Sequence, residues 1–260
     1  MIQKKHIPID NYQLFVKEII LEESSREAPI IFLHDSWGCT EMWGDFPEKL
    51  SKLSDSNSII YDRQGYGKSS PFSIKQRTKH YLHNEAHLLV RLMDALNVPK
   101  AILYGHSDGA SISLIAAALY PDRFEAILLE GVHSFVEEKG QITIKESREK
   151  SRHNLLIQTL EQYHGNKAKE LFRLWHETWL ADFFKDWNIF SILREIRCPV
   201  LAFRGENDPF DTIEQLNVLE REICSKVVTS VIPDAAHTPR KENEEETMRL
   251  INTFFKILHS

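Results

Sequence analysis

The sequence of 260 residues predicts an α/β fold: a mainly parallel sheet of the eight-stranded type, with helices on both faces and a helical insertion. Three observations carry this prediction. Short apolar runs recur along the chain, and each ends on small or polar residues. Stretches with helical spacing separate several of these runs. One long segment, residues 134–194, contains no convincing strand and spaces its aromatic residues as a helix does. Strands that alternate with helices indicate βαβ units and a parallel sheet.

The predicted elements follow the chain in order. Residues 12–21 alternate well enough for an antiparallel strand. The later runs are continuously apolar, as expected of strands covered on both faces: 29–33, 58–61, 101–104, 126–129 and 200–203. Residues 78–97 and 110–120 are helical stretches between them. We therefore expect a core of residues 1–133 and 195–260. Residues 134–194 are expected to form a helical cap, because long ordered insertions are usually lids or binding elements.

The bulk composition disfavours several classes of protein. A net charge of −6 gives no basic surface for nucleic acid. The three cysteines are irregularly spaced, which disfavours a disulfide framework and a zinc site. The sequence shows neither a signal peptide nor a run of about 18 apolar residues. We expect a cytoplasmic protein that uses no cofactor or metal, binds a small-molecule substrate, and contacts neither nucleic acid nor membrane.

Residues 105–109 read Gly-His-Ser-Asp-Gly and fit the pattern G-x-S-x-G. An apolar strand precedes them, and a helix rich in small residues follows. So sharp a turn from strand to helix strains the serine, and the flanking glycines leave room for neighbouring backbone. The turn also sets Ser107 at a helix N-terminus, which stabilises developing negative charge. The sequence predicts Ser107 as a nucleophile; a plain helix cap would need no flanking glycines.

A serine nucleophile needs a base, and the base needs a group that holds its tautomer. His237 lies in a loop of small residues, after the last predicted strand and before the final helix. Asp208 follows the apolar run 200–203, within the segment Gly-Glu-Asn-Asp-Pro. The chain order is therefore serine, aspartate, histidine.

In these features the sequence resembles the α/β-hydrolase superfamily, over essentially the whole chain outside the insertion. Residues 62–69, Asp-Arg-Gln-Gly-Tyr-Gly-Lys-Ser, are similar to the superfamily signature D-x-R-G-x-G-x-S. The resemblance implies a catalytic triad of Ser107, Asp208 and His237. In some relatives the acid instead follows the sixth strand, and Glu130 ends the corresponding run here. Glu130 is therefore the alternative acid.

The resemblance also implies an oxyanion hole made of the backbone N–H groups of Asp108 and Ser36. The loop that holds Ser36 reads His-Asp-Ser-Trp-Gly, so Asp35 stands where the superfamily usually has glycine. Aspartate tolerates left-handed backbone better than most residues, and we expect the turn to survive on that ground.

An aromatic stripe runs through the insertion at steps of three and four: Phe172, Trp175, Trp179 and Phe183. Such a stripe packs onto a core more often than it binds substrate. A lid helix seals the catalytic pocket in the superfamily, so Trp175 and Trp179, with Trp37, are expected to line a substrate pocket. Residues 145–152 hold four basic side chains. They indicate a solvated helix or, as an alternative, a docking patch for an acidic carrier protein.

The sequence leaves three functions open. The favoured one is hydrolysis of a carboxylic ester or thioester of a small-to-medium, largely apolar substrate through an acyl-enzyme. The resemblance extends to hydrolases that split carbon–carbon bonds and to a lyase of the menaquinone-pathway type, both of which use the same triad. The third is a non-catalytic small-molecule receptor on the same fold. A serine nucleophile disfavours epoxide hydrolase and dehalogenase chemistry, for which relatives use aspartate.

Overall fold

A computed structural model describes residues 1–150 and 155–258. Eight strands form one sheet: β1 (Ile2–Ile9), β2 (Tyr12–Ile19), β3 (Arg26–Leu33), β4 (Ser56–Tyr61), β5 (Ala101–His106), β6 (Phe124–Glu130), β7 (Val200–Gly205) and β8 (Val227–Ile232). Their order in the sheet is β1-β2-β4-β3-β5-β6-β7-β8. β2 pairs antiparallel with β1 and β4, and every other pairing is parallel. The predicted eight-stranded, mainly parallel sheet is confirmed.

The helices of the described residues are α1 (Phe46–Ser54), α2 (Tyr81–Ala95), α3 (Asp108–Leu119), α4 (Glu138–Lys150), α5 (Leu155–His164), α6 (Ala168–Trp179), α7 (Glu214–Glu222), α8 (Pro239–Glu242) and α9 (Glu244–Leu258). Because successive strand residues point to opposite faces, the sheet separates two hydrophobic cores. Ile31 and Leu33 of β3 enter the core that includes α2 and α3. Ile30 and Phe32 enter the core that includes α1 and α9. Helices therefore cover both faces, as predicted.

Between β6 and β7 the described residues form helices and turns without a strand, and an isolated bridge joins Phe135 to Asn188. α6 buries Phe172, Trp175 and Trp179 in the same core as β3 and β5. Phe183 lies beyond the end of α6 and is 43% exposed. The predicted aromatic stripe therefore stops with the helix. Residues 151 and 152 of the basic stretch 145–152 lie outside the described residues.

Two side chains of this segment, His164 and Lys167, attach it to loops of the core. His164, the last residue of α5, accepts a hydrogen bond at Nδ1 from the Gly67 N–H (2.9 Å) and donates from Nε2 to the Trp37 carbonyl (2.8 Å). Burial lowers the pKa of His164, which favours the neutral ring that this pattern requires. Lys167 Nζ donates to the carbonyls of Gly67 (2.7 Å) and Ser69 (2.6 Å). The helical segment is thus fixed to the loops that follow β3 and β4.

The carboxyl ends of the parallel strands lie at one edge of the sheet. Ligand sites of open α/β sheets form outside this edge. The segments that leave it are residues 34–38, 62–69, 107, 131–133, 206–211 and, after β8, 233–238. None of the helices described is both long enough and apolar enough to cross a membrane.

Candidate active site

Ser107 occupies the single residue between β5 and α3. Its backbone has φ 55° and ψ −117°, a conformation that non-glycine residues rarely adopt. Its side chain makes no capping hydrogen bond to α3, contrary to what a plain N-cap serine would do. Within the described part of the chain the Ser107 hydroxyl has no hydrogen-bond partner, and the residue lines a cavity. The strained turn therefore turns the hydroxyl toward a site where a ligand can reach it.

The two glycines of the turn are required by close packing. A Cβ atom on Gly105 would lie 2.4 Å from the Gly109 carbonyl oxygen. A Cβ atom on Gly109 would lie 2.0 Å from the carbonyl oxygen of Leu33. Both distances are far below van der Waals contact, and both involve backbone atoms that cannot swing aside. The sequence-based explanation of these glycines agrees with the structure.

His237 and Asp208 meet at the same edge of the sheet. His237 Nδ1 lies 2.7 Å from Asp208 Oδ2, and the Phe210 N–H donates to Asp208 Oδ1 (2.9 Å). Gly205, at the end of β7, allows this approach, because a Cβ atom there would lie 2.0 Å from the Ala236 carbonyl oxygen. Since the carboxylate can only accept, Nδ1 carries the ring proton and Nε2 is left free to act as a base.

The charges of the pair reinforce this arrangement. Burial alone would raise the pKa of Asp208, but the charge of His237 and its hydrogen bond lower it to about 2. Burial alone would lower the pKa of His237, but the charge and hydrogen bond of Asp208 raise it above the ordinary histidine value. Asp208 therefore remains ionised at neutral pH and stabilises a proton gained by His237.

Glu130, the alternative acid, has other partners. Its carboxylate accepts hydrogen bonds from the Arg240 N–H (2.8 Å), the Tyr104 hydroxyl (3.1 Å) and the Arg240 guanidinium. Burial would raise the pKa of Glu130, and the positive charge of Arg240 outweighs it and lowers the pKa. The structure places Asp208 against His237 and Glu130 in a buried ion pair with Arg240.

The two residues predicted to form the oxyanion hole, Ser36 and Asp108, line the same cavity as Ser107. Asp108 is the first residue of α3, so its N–H precedes the helical hydrogen bonds. The Ser36 N–H donates to no acceptor within residues 1–150 and 155–258, and Ser36 lines the same cavity. The Asp108 carboxylate is buried with Tyr81 and Arg63 as partners. Its backbone, rather than its charge, is therefore available to a ligand.

The expectation about Asp35 needs a correction. Asp35 is not among the residues with positive φ, so the turn does not use the left-handed tolerance of aspartate. Its side chain stabilises the loop instead: Oδ1 accepts a hydrogen bond from the Trp37 N–H at 2.7 Å. Aspartate commonly forms such a turn with the backbone two residues further on. The loop keeps its shape through this bond.

A cavity of about 290 Å³ lies over Ser107 and His237. The three residues expected in a pocket, Trp37, Trp175 and Trp179, all line it. The rings of Trp37 and Trp175 pack edge to face with centroids 4.6 Å apart. The remaining lining comes largely from residues that sequence analysis did not single out for it: Met42, His133, Val136, Glu137, Gly140, Gln141, Ile144, Phe210, Thr238, Arg240 and Lys241.

His133 is the most informative of these additional residues. Its ring lies parallel to that of His237 at 5.9 Å and against the edge of Trp179 at 5.5 Å. Burial lowers the pKa of His133 to about 4, so the ring is neutral at neutral pH. Sequence analysis could have identified His133, because this residue comes three residues after the end of β6, at the edge where the strand ends converge.

The described residues contain no group of three or more His, Cys, Asp or Glu side chains that could hold a metal ion. The site consists instead of an ionised aspartate, a histidine, a strained serine and free backbone donors around an apolar cavity. Together with the sheet, these features define an α/β hydrolase.

Comparison with known proteins agrees. The chain belongs to the alpha/beta hydrolase family, whose model matches residues 30–250. The serine hydrolase BPHL of Mus musculus is 26% identical over 228 residues, which span 82% of this chain and 74% of that protein. A proline iminopeptidase of Lactobacillus delbrueckii subsp. bulgaricus is 25% identical over 129 residues, 49% of this chain and 43% of that one.

Solved structures share the fold. A carboxylesterase structure from Nitrososphaera gargenis matches with a TM-score of 0.76 and 20% identity, over 99% of both chains. At that identity the likeness shows the fold alone. With the family match and the named relatives, the protein is an enzyme of the α/β-hydrolase type.

Proposed function

We propose that this protein is a serine hydrolase that cleaves a carboxylic ester or thioester through an acyl-enzyme, with Ser107 as nucleophile, His237 as base and Asp208 as supporting acid. The observation that carries the proposal is the 2.7 Å contact between His237 and Asp208, beside a strained serine that opens on the same cavity. Such a set generates a nucleophile at neutral pH without a cofactor.

The reaction has two halves. His237 Nε2 takes the proton of the Ser107 hydroxyl while its oxygen attacks the ester carbonyl, and the N–H groups of Ser36 and Asp108 stabilise the oxyanion. Collapse of the tetrahedral intermediate breaks the ester bond, and the leaving alkoxide or thiolate receives the proton from His237. Water then gives a proton to His237 and attacks the acyl carbon, which releases the acid and restores Ser107.

The cavity supports a substrate of small to medium size. Its volume of about 290 Å³ is near the lower end of ligand pockets, and the rings of Trp37, Trp175 and Trp179 give it apolar walls. His133 offers one neutral hydrogen-bonding group among these rings. The proposal therefore assigns a largely apolar acyl group, able to accept or donate a hydrogen bond near the reacting carbonyl.

The proposal also makes residues 134–194 a cap over the site. Gly140 and Ile144 of α4 and Trp175 of α6 line the cavity from this segment. A cytoplasmic location and a carrier protein as partner remain predictions from the sequence. Fractionation of cells would test the first, and cross-linking to an acylated carrier would test the second.

A panel of p-nitrophenyl esters of increasing acyl length tests the function, with Ser107→Ala as the control. We expect turnover to peak at short to medium acyl chains and to vanish in Ser107→Ala, which keeps the wild-type melting temperature. A fluorophosphonate probe should label Ser107 in the wild-type enzyme alone. If no ester of the panel is hydrolysed although Ser107 is labelled, the substrate would instead be a thioester or a compound with a scissile carbon–carbon bond. If Ser107 stays unlabelled in a folded protein that binds a ligand, the enzymatic proposal is refuted and the protein is a receptor.

A further inference from the structure

Asp35, which stands where the superfamily usually has glycine, makes hydrogen bonds through both its side chain and its backbone carbonyl. Its carboxylate accepts from the Trp37 N–H (2.7 Å) and faces His106 Nδ1 at 3.1 Å. Its backbone carbonyl accepts from Arg63 Nη2 (2.8 Å) and from His34 Nδ1 (2.8 Å). A glycine would keep the two contacts of the backbone carbonyl but would lose the two of the carboxylate, which join the loop of Ser36 to His106.

His106, the residue before Ser107, faces an acceptor at each ring nitrogen. Its Nε2 lies 2.8 Å from the carbonyl oxygen of His237, and a carbonyl can only accept. Nε2 therefore carries a proton. Nδ1 faces Asp35, and although burial would raise the pKa of that carboxyl, the hydrogen bonds from His106 and Trp37 hold it well below its usual range. The ring of His106 therefore joins the Asp35 carboxylate to the backbone of His237.

The charged and titratable groups around His106 come from four elements. They are Asp35 after β3, Glu130 at the end of β6, His237 after β8, and Arg240 and Lys241 of α8. Arg240 is already paired with Glu130. Asp35 is therefore the carboxylate that remains to pair with His106.

We propose that Asp35 and His106 form a second acid–histidine pair. Through it, the loop of Ser36 positions the backbone of His237. The inference rests on the proposed function, because positioning matters only if Ser36 and His237 act on a substrate. Both residues are positioning residues: they act through the Asp35 turn and the His237 carbonyl. Displacement of a reacting group by about 1 Å is enough to cost about 100-fold in rate.

The kinetic arm compares Asp35→Gly and Asp35→Asn with Asp122→Asn, a matched change at an exposed site. Asp35→Gly restores the residue usual in the superfamily. We expect kcat on the best p-nitrophenyl ester to fall about 10- to 100-fold in both Asp35 variants, with KM nearly unchanged, and to stay at the wild-type value in Asp122→Asn. Wild-type kcat in a folded Asp35→Gly would refute a positioning role.

A spectroscopic measurement on the same variants needs no substrate. In protein labelled with ¹⁵N-histidine, the Nδ1 signal of His106 should shift in Asp35→Asn, which removes the carboxylate 3.1 Å away, and stay unchanged in Asp122→Asn. A His106 Nδ1 signal that is the same in Asp35→Asn and in the wild type would refute the pair.

Labelling of Ser107 by fluorophosphonate separates the two proposals. If Ser107 is labelled and the His106 signal does not respond to Asp35→Asn, the hydrolase stands and the pair fails. If Ser107 is inert while the His106 signal responds, the proposed function fails, and with it the positioning role of the pair.

Discussion

Two buried carboxylates lie at the ends of neighbouring strands, and their partners give them different roles. Asp208 contacts His237 at 2.7 Å, whereas Glu130 is paired with Arg240, whose guanidinium also lies over the ring of Trp43 at 4.3 Å. Under the proposed function, a carboxylate that contacts the base affects the rate. A carboxylate that neutralises a buried arginine affects the stability of the fold.

We therefore expect two matched amide substitutions to affect different properties, one the rate and the other the stability. Asp208→Asn should lower kcat by about 10⁴-fold, because the base loses its tautomer, while the melting temperature changes little. Glu130→Gln should destabilise the protein by about 3–5 kcal/mol, because Arg240 is left buried without its counter-charge. Steady-state kinetics and urea denaturation of both variants check this. A large loss of kcat in folded Glu130→Gln, with near-normal Asp208→Asn, would reverse the two assignments.

The pH profile gives a second measurement on the same pair. In the proposed mechanism activity requires neutral His237, so kcat/KM should rise with pH and level off above the pKa of that residue. Asp208 raises this pKa, which puts the midpoint above about 6.5, the ordinary histidine value. Removing the negative charge in Asp208→Asn should move the midpoint of the residual activity to lower pH. If the midpoint did not move, the charge of Asp208 would have no influence on the pKa of His237.

At the level of elements, the turn between β5 and α3 depends on how closely α3 approaches β3. Gly109 begins this contact, with the Leu33 carbonyl oxygen 2.0 Å from the place of a Cβ atom. Gly44 is constrained in another way. Its φ is 62°, but no described atom beyond its chain neighbours lies within 4 Å of a Cβ atom there. One glycine is required by packing and the other by backbone conformation alone.

This difference predicts unequal costs for two alanine substitutions. Gly44→Ala should lose about 1–3 kcal/mol, the cost of an L-residue in a sparsely populated backbone conformation with φ 62° and ψ −132°. Gly109→Ala should lose about 3 kcal/mol or more, because helix and strand backbones must separate, and it should also abolish fluorophosphonate labelling of Ser107. Free energies of unfolding from urea titrations measure both. Equal losses at the two sites would mean that α3 is free to move away from β3.

At the scale of the whole molecule, the segment between β6 and β7 shares its core with the sheet. Trp175 and Phe184 from that segment belong to the same hydrophobic cluster as Leu33 and Leu103 from the strands. Lys167 adds polar contacts, because its ammonium group donates to loop carbonyls of the core. A shared core implies one cooperative unit rather than two independent ones.

Calorimetry should therefore record a single unfolding transition, with equal calorimetric and van't Hoff enthalpies. Lys167→Met keeps the aliphatic stem but removes the charged hydrogen bonds. It should lower the midpoint of that same transition by about 4–8 °C. Lys169→Met, at a side chain that is 79% exposed, is the matched control and should leave the midpoint unchanged. Two resolved transitions in the wild type would contradict a common core.

The sequence by itself determined the features that local patterns record. Apolar runs ending on small residues placed the strands, and Gly-His-Ser-Asp-Gly placed Ser107 in a strained turn, because the turn is built by residues next to one another. Only the tertiary structure decided which carboxylate meets His237 and what Asp35 contacts. Those partners are separated by 29 residues for His237 and Asp208, and by 71 for His106 and Asp35. Their contact depends on strand order and register, which bring distant strand ends to one edge and which no local pattern encodes.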